Sequence, residues 1–145
     1  METNRLWTDK ISMSKTLNVI LDSNALFVPL QFKIDIFQEL KTLLDRNFEP
    51  IIISPIKREI DRIAEMDSPK MRKQGAYALK LVEKCRLIEM DEEEGSADDA
   101  IVKAAHELHA AVFTNDMQLR KRLRNINMPV IYVRQKSRLE IDGRL

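Results

Sequence analysis

Four acidic residues of this chain lie where a carboxylate is costly or unusual, and together they could bind a cation. Asp22 ends an apolar run that begins at Thr16, and Ser23 and Asn24 follow it at once. A buried strand that ends in a carboxylate needs a partner for that charge. The other three, each close to an expected helix start or strand end, are Glu59, Asp98 and Asp116. If the four converge, their oxygens form a pocket suited to a divalent metal ion.

Helical phase separates Glu59 from the solvated acids around it. A helix that starts at Ser54 and Pro55 carries its apolar residues on one arc, since successive residues advance by about 100°. That arc holds Ile56, Ile60, Ile63 and Met66, and Glu59 falls inside it, whereas Asp61 and Glu65 fall on the polar side. Glu59 is therefore expected to point toward the core side of its helix.

The same test divides the pair Asp98 and Asp99. The helix expected over 97–109 has a buried stripe formed by Ala97, Ile101, Ala104, Ala105 and Leu108. Asp98 lies within the arc of that stripe, while Asp99 projects with Lys103 and His106. We therefore expect Asp98 to point inward, and Asp99 to support the site from behind or to face solvent.

Each acid also has a structural interpretation. Asp116 could be the N-cap of the next helix, Glu59 the partner of a buried arginine, and Asp98 a favourable charge in a first helical turn. Asp22 could bond to a loop at the strand end. The short polar residues that flank the acids could orient carboxylates or satisfy local turns. They are Ser23, Asn24, Thr114 and Asn115.

The composition indicates one globular domain. The chain has 145 residues, of which 44% are hydrophobic and 32% charged, with a net charge of +1. Its single cysteine, Cys85, excludes an internal disulfide and is interpreted as structural. No apolar run approaches the roughly 20 residues of a membrane span. No secretory signal is visible, so we expect a cytoplasmic protein without a membrane partner.

Charge is unevenly distributed. Residues 91–94 and 98–99 are acidic, whereas the C-terminal third is basic. An acidic centre beside a basic flank suits the metal-assisted cutting of a polyanion, although either run alone could be a solvated face. The candidate contacts to a nucleic-acid backbone are Arg120, Lys121, Arg122, Arg124, Arg134, Lys136 and Arg138.

Strands and helices alternate along the chain after a polar leader, residues 1–15, within which Met13 could be an alternative start. The expected strands are Leu17–Asp22, Pro50–Ile53, Arg86–Met90, Ala110–Thr114 and Pro129–Val133. The expected helices cover about 31–46, a stretch capped by Ser54, a stretch from Ser68 to about Lys84, 97–109 and 116–125. Residues 134–145 are expected to form a basic tail.

This alternation predicts an α/β fold in three layers, with helices on both faces of a parallel sheet. Ligands of such sheets bind at the carboxyl ends of the strands, where the strand order reverses. Asp22 ends the first strand and Asp116 follows the fourth by two residues. Both would face one crevice if those two strands are neighbours.

Other chemistries lack their residues. The three glycines, Gly75, Gly95 and Gly143, form neither a P-loop nor a dinucleotide fingerprint. A zinc site would need more than His106 and His109, which we interpret as ordinary helix residues. A phosphatase of the Asp-x-Asp type would need an aspartate at position 24, which is asparagine.

The acidic pattern resembles the PIN domain over roughly residues 16–133. The resemblance is carried by Asp22 to Asn24 after the first strand, Glu59 early in the second helix, Asp98 to Ile101, and Thr114 to Asp116. It implies a five-stranded parallel sheet of order 3-2-1-4-5. It also implies an endoribonuclease that acts on single-stranded RNA with Mg²⁺ or Mn²⁺, which would be held by the four acids.

Two branches of that family compete. The basic tract that follows Asp116, and the doublet Asp98 and Asp99, are more similar to PIN nucleases that process ribosomal RNA of the small subunit. The other branch is the VapC-type toxin ribonuclease, whose partner is an antitoxin. A non-catalytic RNA-binding PIN domain is a third alternative, and family members often form homodimers.

Overall fold

The computed structural model describes residues 16–91 and 95–145. The expected leader and part of the acidic loop lie outside these residues. The described chain forms six strands in one sheet: β1 (Thr16–Leu21), β2 (Asn47–Ile53), β3 (Arg86–Ile88), β4 (Ala111–Phe113), β5 (Val130–Arg134) and β6 (Arg138–Asp142). The helices are α1 (Ser23–Leu26), α2 (Val28–Phe32), α3 (Ile36–Leu44), α4 (Ser54–Ala64), α5 (Pro69–Val82), α6 (Ala97–Leu108) and α7 (Met117–Asn125).

The predicted α/β architecture and strand order are confirmed. The sheet has the order β3-β2-β1-β4-β5-β6, and its first five strands are parallel. The chain moves outward from β1 to β3 and then back past β1 to β5. Right-handed crossovers therefore place the helices of the two halves on opposite faces. The order reverses between β1 and β4, which is where a ligand site is expected.

A sixth strand corrects the expectation of a basic tail after residue 133. β6 pairs antiparallel with β5, and Leu139 is buried. The intervening turn gives Gln135 and Lys136 positive φ angles of 55° and 58°, and Ser137 donates its backbone N–H to the carbonyl of Arg134. A type I′ hairpin turn needs this conformation, for which asparagine and glycine are the usual signals. Their absence hid the hairpin from sequence reasoning.

The first half of the chain shows two further differences. The helix expected over 31–46 is α3, which begins after Asp35, whose side chain accepts the N–H of Gln38. The preceding residues form the short α1 and α2 instead. Ser54 was expected to cap α4, but its hydroxyl accepts the backbone N–H of Met90 at 2.9 Å. That buried hydroxyl ties α4 to the chain that leaves β3.

The core lies between the central strands and the helices. β1, β2 and β4 contribute residues such as Ile20, Ile52 and Phe113, all without exposed surface. Strands buried on both faces read as continuous apolar runs, which is why these segments were visible in the sequence. Within 16–91 and 95–145, no helix has the length and apolarity needed to cross a bilayer.

α4 and α5 cross at very short range through Gly75. A Cβ atom at Gly75 would lie 2.4 Å from the backbone nitrogen and 2.6 Å from the Cα atom of Ala64. Glycine is therefore the residue that lets these two helices meet, since nothing but backbone faces it. Because α4 also carries Glu59, we expect this crossing to help position Glu59.

Candidate active site

Asp22 lies at the centre of the candidate site, directly after β1 and at the N-cap of α1. Its carboxylate is only 5% exposed. One oxygen, Oδ1, accepts the backbone N–H of Ser23 at 2.8 Å. The other, Oδ2, accepts the hydroxyl of Thr114 at 2.7 Å and the side-chain amide of Asn24 at 3.2 Å. The strand end therefore holds this buried carboxylate in one orientation.

Two asparagines link this arrangement to the loop after β4. The side-chain oxygen of Asn24 accepts the backbone N–H of Asn115 at 3.0 Å. The side-chain oxygen of Asn115 accepts the backbone N–H of Val133 at 2.9 Å. Asn115 thus joins β5 to the site, and its side chain forms no hydrogen bond with the acids among the described residues. These bonds fix the ends of β1, β4 and β5 relative to one another.

Asp116 is the N-cap of α7. Its Oδ1 accepts the backbone N–H groups of Gln118 at 2.8 Å and Leu119 at 3.2 Å. Its own backbone N–H donates to the Thr114 hydroxyl at 3.1 Å. The structural interpretation of Asp116 therefore holds for one oxygen, and Oδ2 has no hydrogen bond from the described residues. A cap and a ligand role are compatible because each uses a different oxygen.

The other two acids approach from separate helices. Glu59 on α4 and Asp98 on α6 are both partly buried. Neither side chain has a hydrogen bond or an ion pair with a described residue, which leaves the alternative of a buried arginine partner for Glu59 without support there. Both carboxylates lie near enough to Asp22 to influence its ionisation or to be influenced by it.

The pKa values of Asp22 and Asp98 are both raised in this site. Burial raises the pKa of Asp22, the bonds from Thr114 and Ser23 lower it, and the carboxylates of Glu59 and Asp116 raise it, with a net raised value. Burial and the carboxylates of Asp22 and Asp116 raise the pKa of Asp98, against a lowering effect of Arg122. The positive charge of Arg122 only partly offsets the repulsion among these acids. A bound cation would supply the remaining positive charge.

Among the residues that the structure describes, no three acidic, histidine or cysteine side chains are arranged so that they could hold a metal ion as they stand. The structure brings Glu59, Asp98 and Asp116 within electrostatic range of Asp22 but does not close the four acids into a ligand cluster. The donor chemistry nevertheless fits a hard divalent cation, since carboxylate oxygens on Glu59, Asp98 and Asp116 have no hydrogen-bond partner in the described chain.

Asp99 has a different role from its neighbour. It is exposed, forms a capping box with Ser96 and pairs with Arg122 at 2.8 Å. The bond from the Ser96 backbone and the bond from Arg122 lower the pKa of Asp99. Asp99 was expected behind the site or in solvent, and its contacts are with the helix cap and with α7.

Most of the predicted RNA contacts are already paired with acids. Arg120 and Arg124 both reach Asp142, at 3.1 and 3.3 Å, and Arg134 and Arg138 both reach Glu140, at 3.3 and 3.0 Å. Arg122 pairs with Asp99, as described. Exposed pairs contribute only about 0–1 kcal/mol, so a phosphate can compete for these arginines. Lys121 and Lys136 form no ion pair with any described residue.

Cys85 takes no part in this chemistry. Burial raises the pKa of the Cys85 thiol to about 12, so it stays protonated at neutral pH. Its sulfur lies 3.3 Å from the carbonyl oxygen of Leu81, at the end of α5. The structural interpretation of this cysteine agrees with its surroundings.

Replacing Thr114 by valine is expected to destabilise the fold by about 2 kcal/mol at neutral pH, since a buried carboxylate loses a hydrogen-bond donor. Asp22 already has a pKa above its ordinary value of 3.8, so its ionisation opposes folding. The difference in the free energy of unfolding between Thr114→Val and the wild type should therefore narrow as the pH falls through the folded-state pKa of Asp22 toward 3.8. Urea titrations at several pH values across this range measure that difference.

Thr114→Ser is the matched control, because it keeps the hydroxyl and removes one methyl group. Its stability loss should be smaller and should not depend on pH in the same way. Equal losses in the two variants, unchanged by acidification, would mean that the hydroxyl does not support the Asp22 carboxylate.

Comparison with known proteins gives the family of this fold. A PIN-like domain model matches residues 19–136. Ribonuclease VapC4 of Methanocaldococcus jannaschii is 34% identical over 126 residues, which cover 86% of this chain and 96% of that protein. Ribonuclease VapC9 of Archaeoglobus fulgidus is 24% identical over 134 residues, covering 92% and 96% of the two chains.

Solved structures agree on the architecture. The PIN domain endonuclease Utp24 superimposes with a TM-score of 0.74 at 26% identity, covering 88% of this chain and 92% of that one. VapBC2 of Rickettsia felis, solved with a promoter DNA fragment, gives a TM-score of 0.62 at 16% identity, covering 81% and 100%, which supports the fold alone. This chain therefore belongs to the PIN-like domain family and is a relative of the VapC ribonucleases.

Proposed function

We propose that this protein is an endoribonuclease that cleaves single-stranded RNA with the help of a divalent cation, Mg²⁺ or Mn²⁺. The observation that carries the proposal is the approach of Glu59, Asp98 and Asp116 to the buried Asp22 at the ends of β1 and β4. Burial, and to a smaller extent the neighbouring acids, raise the pKa values of Asp22 and Asp98. The ribonuclease names of the curated relatives point to the same chemistry.

Three groups of residues would have different roles in cleavage. Asp22, Glu59, Asp98 and Asp116 would hold the cation, and Ser23, Asn24 and Thr114 keep the Asp22 carboxylate oriented through the bonds described above. When bound, a divalent cation polarises the scissile phosphate, favours formation of a hydroxide and stabilises the leaving 3′ oxygen. Products would carry 5′-phosphate and 3′-hydroxyl ends. Lys121 and Lys136, which have no described ion pair, would hold the RNA backbone.

The direct test is cleavage of an end-labelled single-stranded RNA in the presence of Mg²⁺, Mn²⁺ or a chelator. We expect discrete endonucleolytic products with either metal ion and none with the chelator, and slower cleavage of the same sequence in a duplex. RNA binding without cleavage in either metal would favour the non-catalytic alternative. Cleavage that persists undiminished with the chelator would contradict the role assigned to the acids.

For the biological role, we propose ribosomal RNA processing first, because the basic tract after Asp116 is similar to that branch of the family. The substrate would then be a site in ribosomal RNA, and the protein would act in the cytoplasm. This role requires no antitoxin partner. Isolation of ribosomal RNA precursors cut by the wild-type protein, but not by an inactive variant, would test this role.

The second candidate is a toxin ribonuclease that is held inactive by an antitoxin, with homodimers as the family would suggest. Both curated relatives have VapC names, and the solved structures include VapBC assemblies from Rickettsia felis and Haemophilus influenzae. This candidate predicts growth arrest when the chain is expressed alone. Co-expression of the product of a neighbouring gene should then restore growth.

A further inference from the structure

A groove adjoins the acidic site on the side of β5 and α7. It has a volume of about 400 Å³, and Thr114 and Asn115 lie at one end of it. The same Thr114 hydroxyl donates to Asp22. Thr114 therefore connects the wall of the groove to the Asp22 carboxylate, so a group bound in the groove would lie one residue away from the acidic site.

The walls of the groove are largely apolar and aromatic. Phe32 from α2, Met117 from α7, and Tyr132 and Val133 from β5 supply them. Met117 is 59% exposed, more than any other large hydrophobic residue that the structure describes. An exposed methionine and an aromatic ring beside a polar site favour a flat apolar ligand rather than solvent alone.

Arg120 and Tyr132 form a stacked pair in this wall. The guanidinium carbon of Arg120 lies 3.9 Å from the centre of the Tyr132 ring. The Nε atom of Arg120 also donates to Asp142 of β6 at 3.1 Å, which keeps the guanidinium from turning away. Aromatic rings and arginine planes are the two surfaces on which unpaired bases stack in proteins that bind single strands.

Charge at the rim suits the rest of a nucleotide. Lys136 lies in the turn between β5 and β6, is exposed and forms no ion pair with a described residue. Gln135 beside it offers both a donor and an acceptor. A base in the groove would thus have a cation near its phosphate on one side and the acidic site on the other.

We propose that this groove, named here the β5–α7 groove, is a base-binding subsite that receives one unpaired nucleobase of the RNA next to the phosphate held at the acids. The inference rests on the proposed endoribonuclease function. It also explains why a duplex would be a poor substrate, since paired bases cannot leave their stack to enter the groove.

The test is a binding cycle between the ring of Tyr132 and the bases of the RNA. Affinities are measured with chelator present for a short single-stranded RNA and for the same strand with base-free sugars throughout. Removing the bases weakens binding by the wild-type protein. In Tyr132→Ala we expect this penalty to shrink by about tenfold, because one stacking contact no longer exists to be lost.

Matched variants separate stacking from folding. Tyr77→Ala removes a half-buried tyrosine of α5 and should leave the penalty at its wild-type value, and Tyr132→Phe, which keeps the ring, should do the same. If Tyr132→Ala fails to fold, Met117→Ala on the exposed rim should reduce the penalty in the same direction by about threefold. An unchanged penalty in folded Tyr132→Ala or Met117→Ala would overturn the proposal.

Two further readouts keep the outcomes distinct. A Tyr132→Ala variant that loses self-association instead of base dependence would show that a second copy occupies the groove, which also overturns the proposal. Metal-dependent cleavage by the wild type, with a base penalty independent of Tyr132, would leave the endoribonuclease intact and remove the subsite. A Tyr132-dependent penalty without cleavage in any metal would support the subsite and contradict the catalytic proposal.

Discussion

Asp22→Asn is expected to reduce RNA cleavage by at least about a thousandfold, because it removes the charge on which the other three acids converge. The variant should still fold. The buried Asp22 carboxylate has a raised pKa, so its ionised form costs free energy that the neutral amide does not. RNA binding should be retained or strengthened, since one negative charge near the phosphate is gone. Cleavage and binding are measured on the same labelled RNA.

Asp61→Asn is the matched control for this experiment. Asp61 lies on α4 two residues from Glu59, but its side chain is 41% exposed and pairs with Lys57 at 2.9 Å. Losing such a pair has little effect on stability, and cleavage should remain at the wild-type rate. Cleavage by purified Asp22→Asn at the rate of Asp61→Asn would show that the activity does not depend on the acidic site.

Gly75→Ala is expected to lower stability by about 2 kcal/mol, although alanine is the better helix former by about 1 kcal/mol. The new methyl group would meet the backbone of Ala64 at 2.4 to 2.6 Å, and no side chain there can move aside. α4 and α5 must separate, which should lower the melting temperature by about 5 °C. Activity should also fall, because Glu59 moves with α4.

Ala76→Leu tests whether added volume alone has this effect. Ala76 follows Gly75 on α5 but is exposed, so a larger side chain there should change stability by less than about 0.5 kcal/mol. A melting temperature of Gly75→Ala equal to or above that of the wild type would mean that the two helices relax without cost. The position of Glu59 would then not depend on this crossing.

The sequence predicted the elements that are dominated by burial. Ile51 to Ile53 and Val19 to Leu21 are continuous apolar runs because both faces of these strands are covered. Ser68 before Pro69 predicted the start of α5, and the Ser68 hydroxyl accepts the N–H of Met71 at 3.4 Å. Such signals depend only on neighbouring residues, so they can be recognised in a single sequence.

Two features were missed for different reasons. Arg138–Asp142 alternates charged and apolar residues, which is a strand pattern, but the turn before β6 has neither the glycine nor the asparagine that signals a hairpin. Ser54 has the residue type of a cap, yet it bonds to Met90 because β3 ends beside it. Local propensity cannot anticipate a partner 36 residues away.

The candidate site was predicted from helical phase and strand topology. These two signals do not predict the ion pairs and stacking contacts around it. Helical phase separated Glu59 from Asp61 and Asp98 from Asp99 because one side of each helix is buried. Phase says nothing about which cations lie nearby. The pairing of Arg122 with Asp99, and the stacking of Arg120 on Tyr132, follow from the position of α7 beside α6 and β5. Ion pairs of five arginines with Asp99, Asp142 and Glu140 leave two of the seven candidate cations, Lys121 and Lys136, without an ion pair to a described residue.

Calorimetric titration with Mn²⁺ tests most directly whether the four acids form one cation site. We expect the wild type to bind Mn²⁺ and Glu59→Gln and Asp98→Asn each to weaken that binding by at least about tenfold. Glu65→Gln, at the residue that caps the C-terminus of the helix carrying Glu59, should bind like the wild type. Equal Mn²⁺ affinity in Glu59→Gln and Glu65→Gln would contradict the claim that Glu59 and Asp22 share a cation.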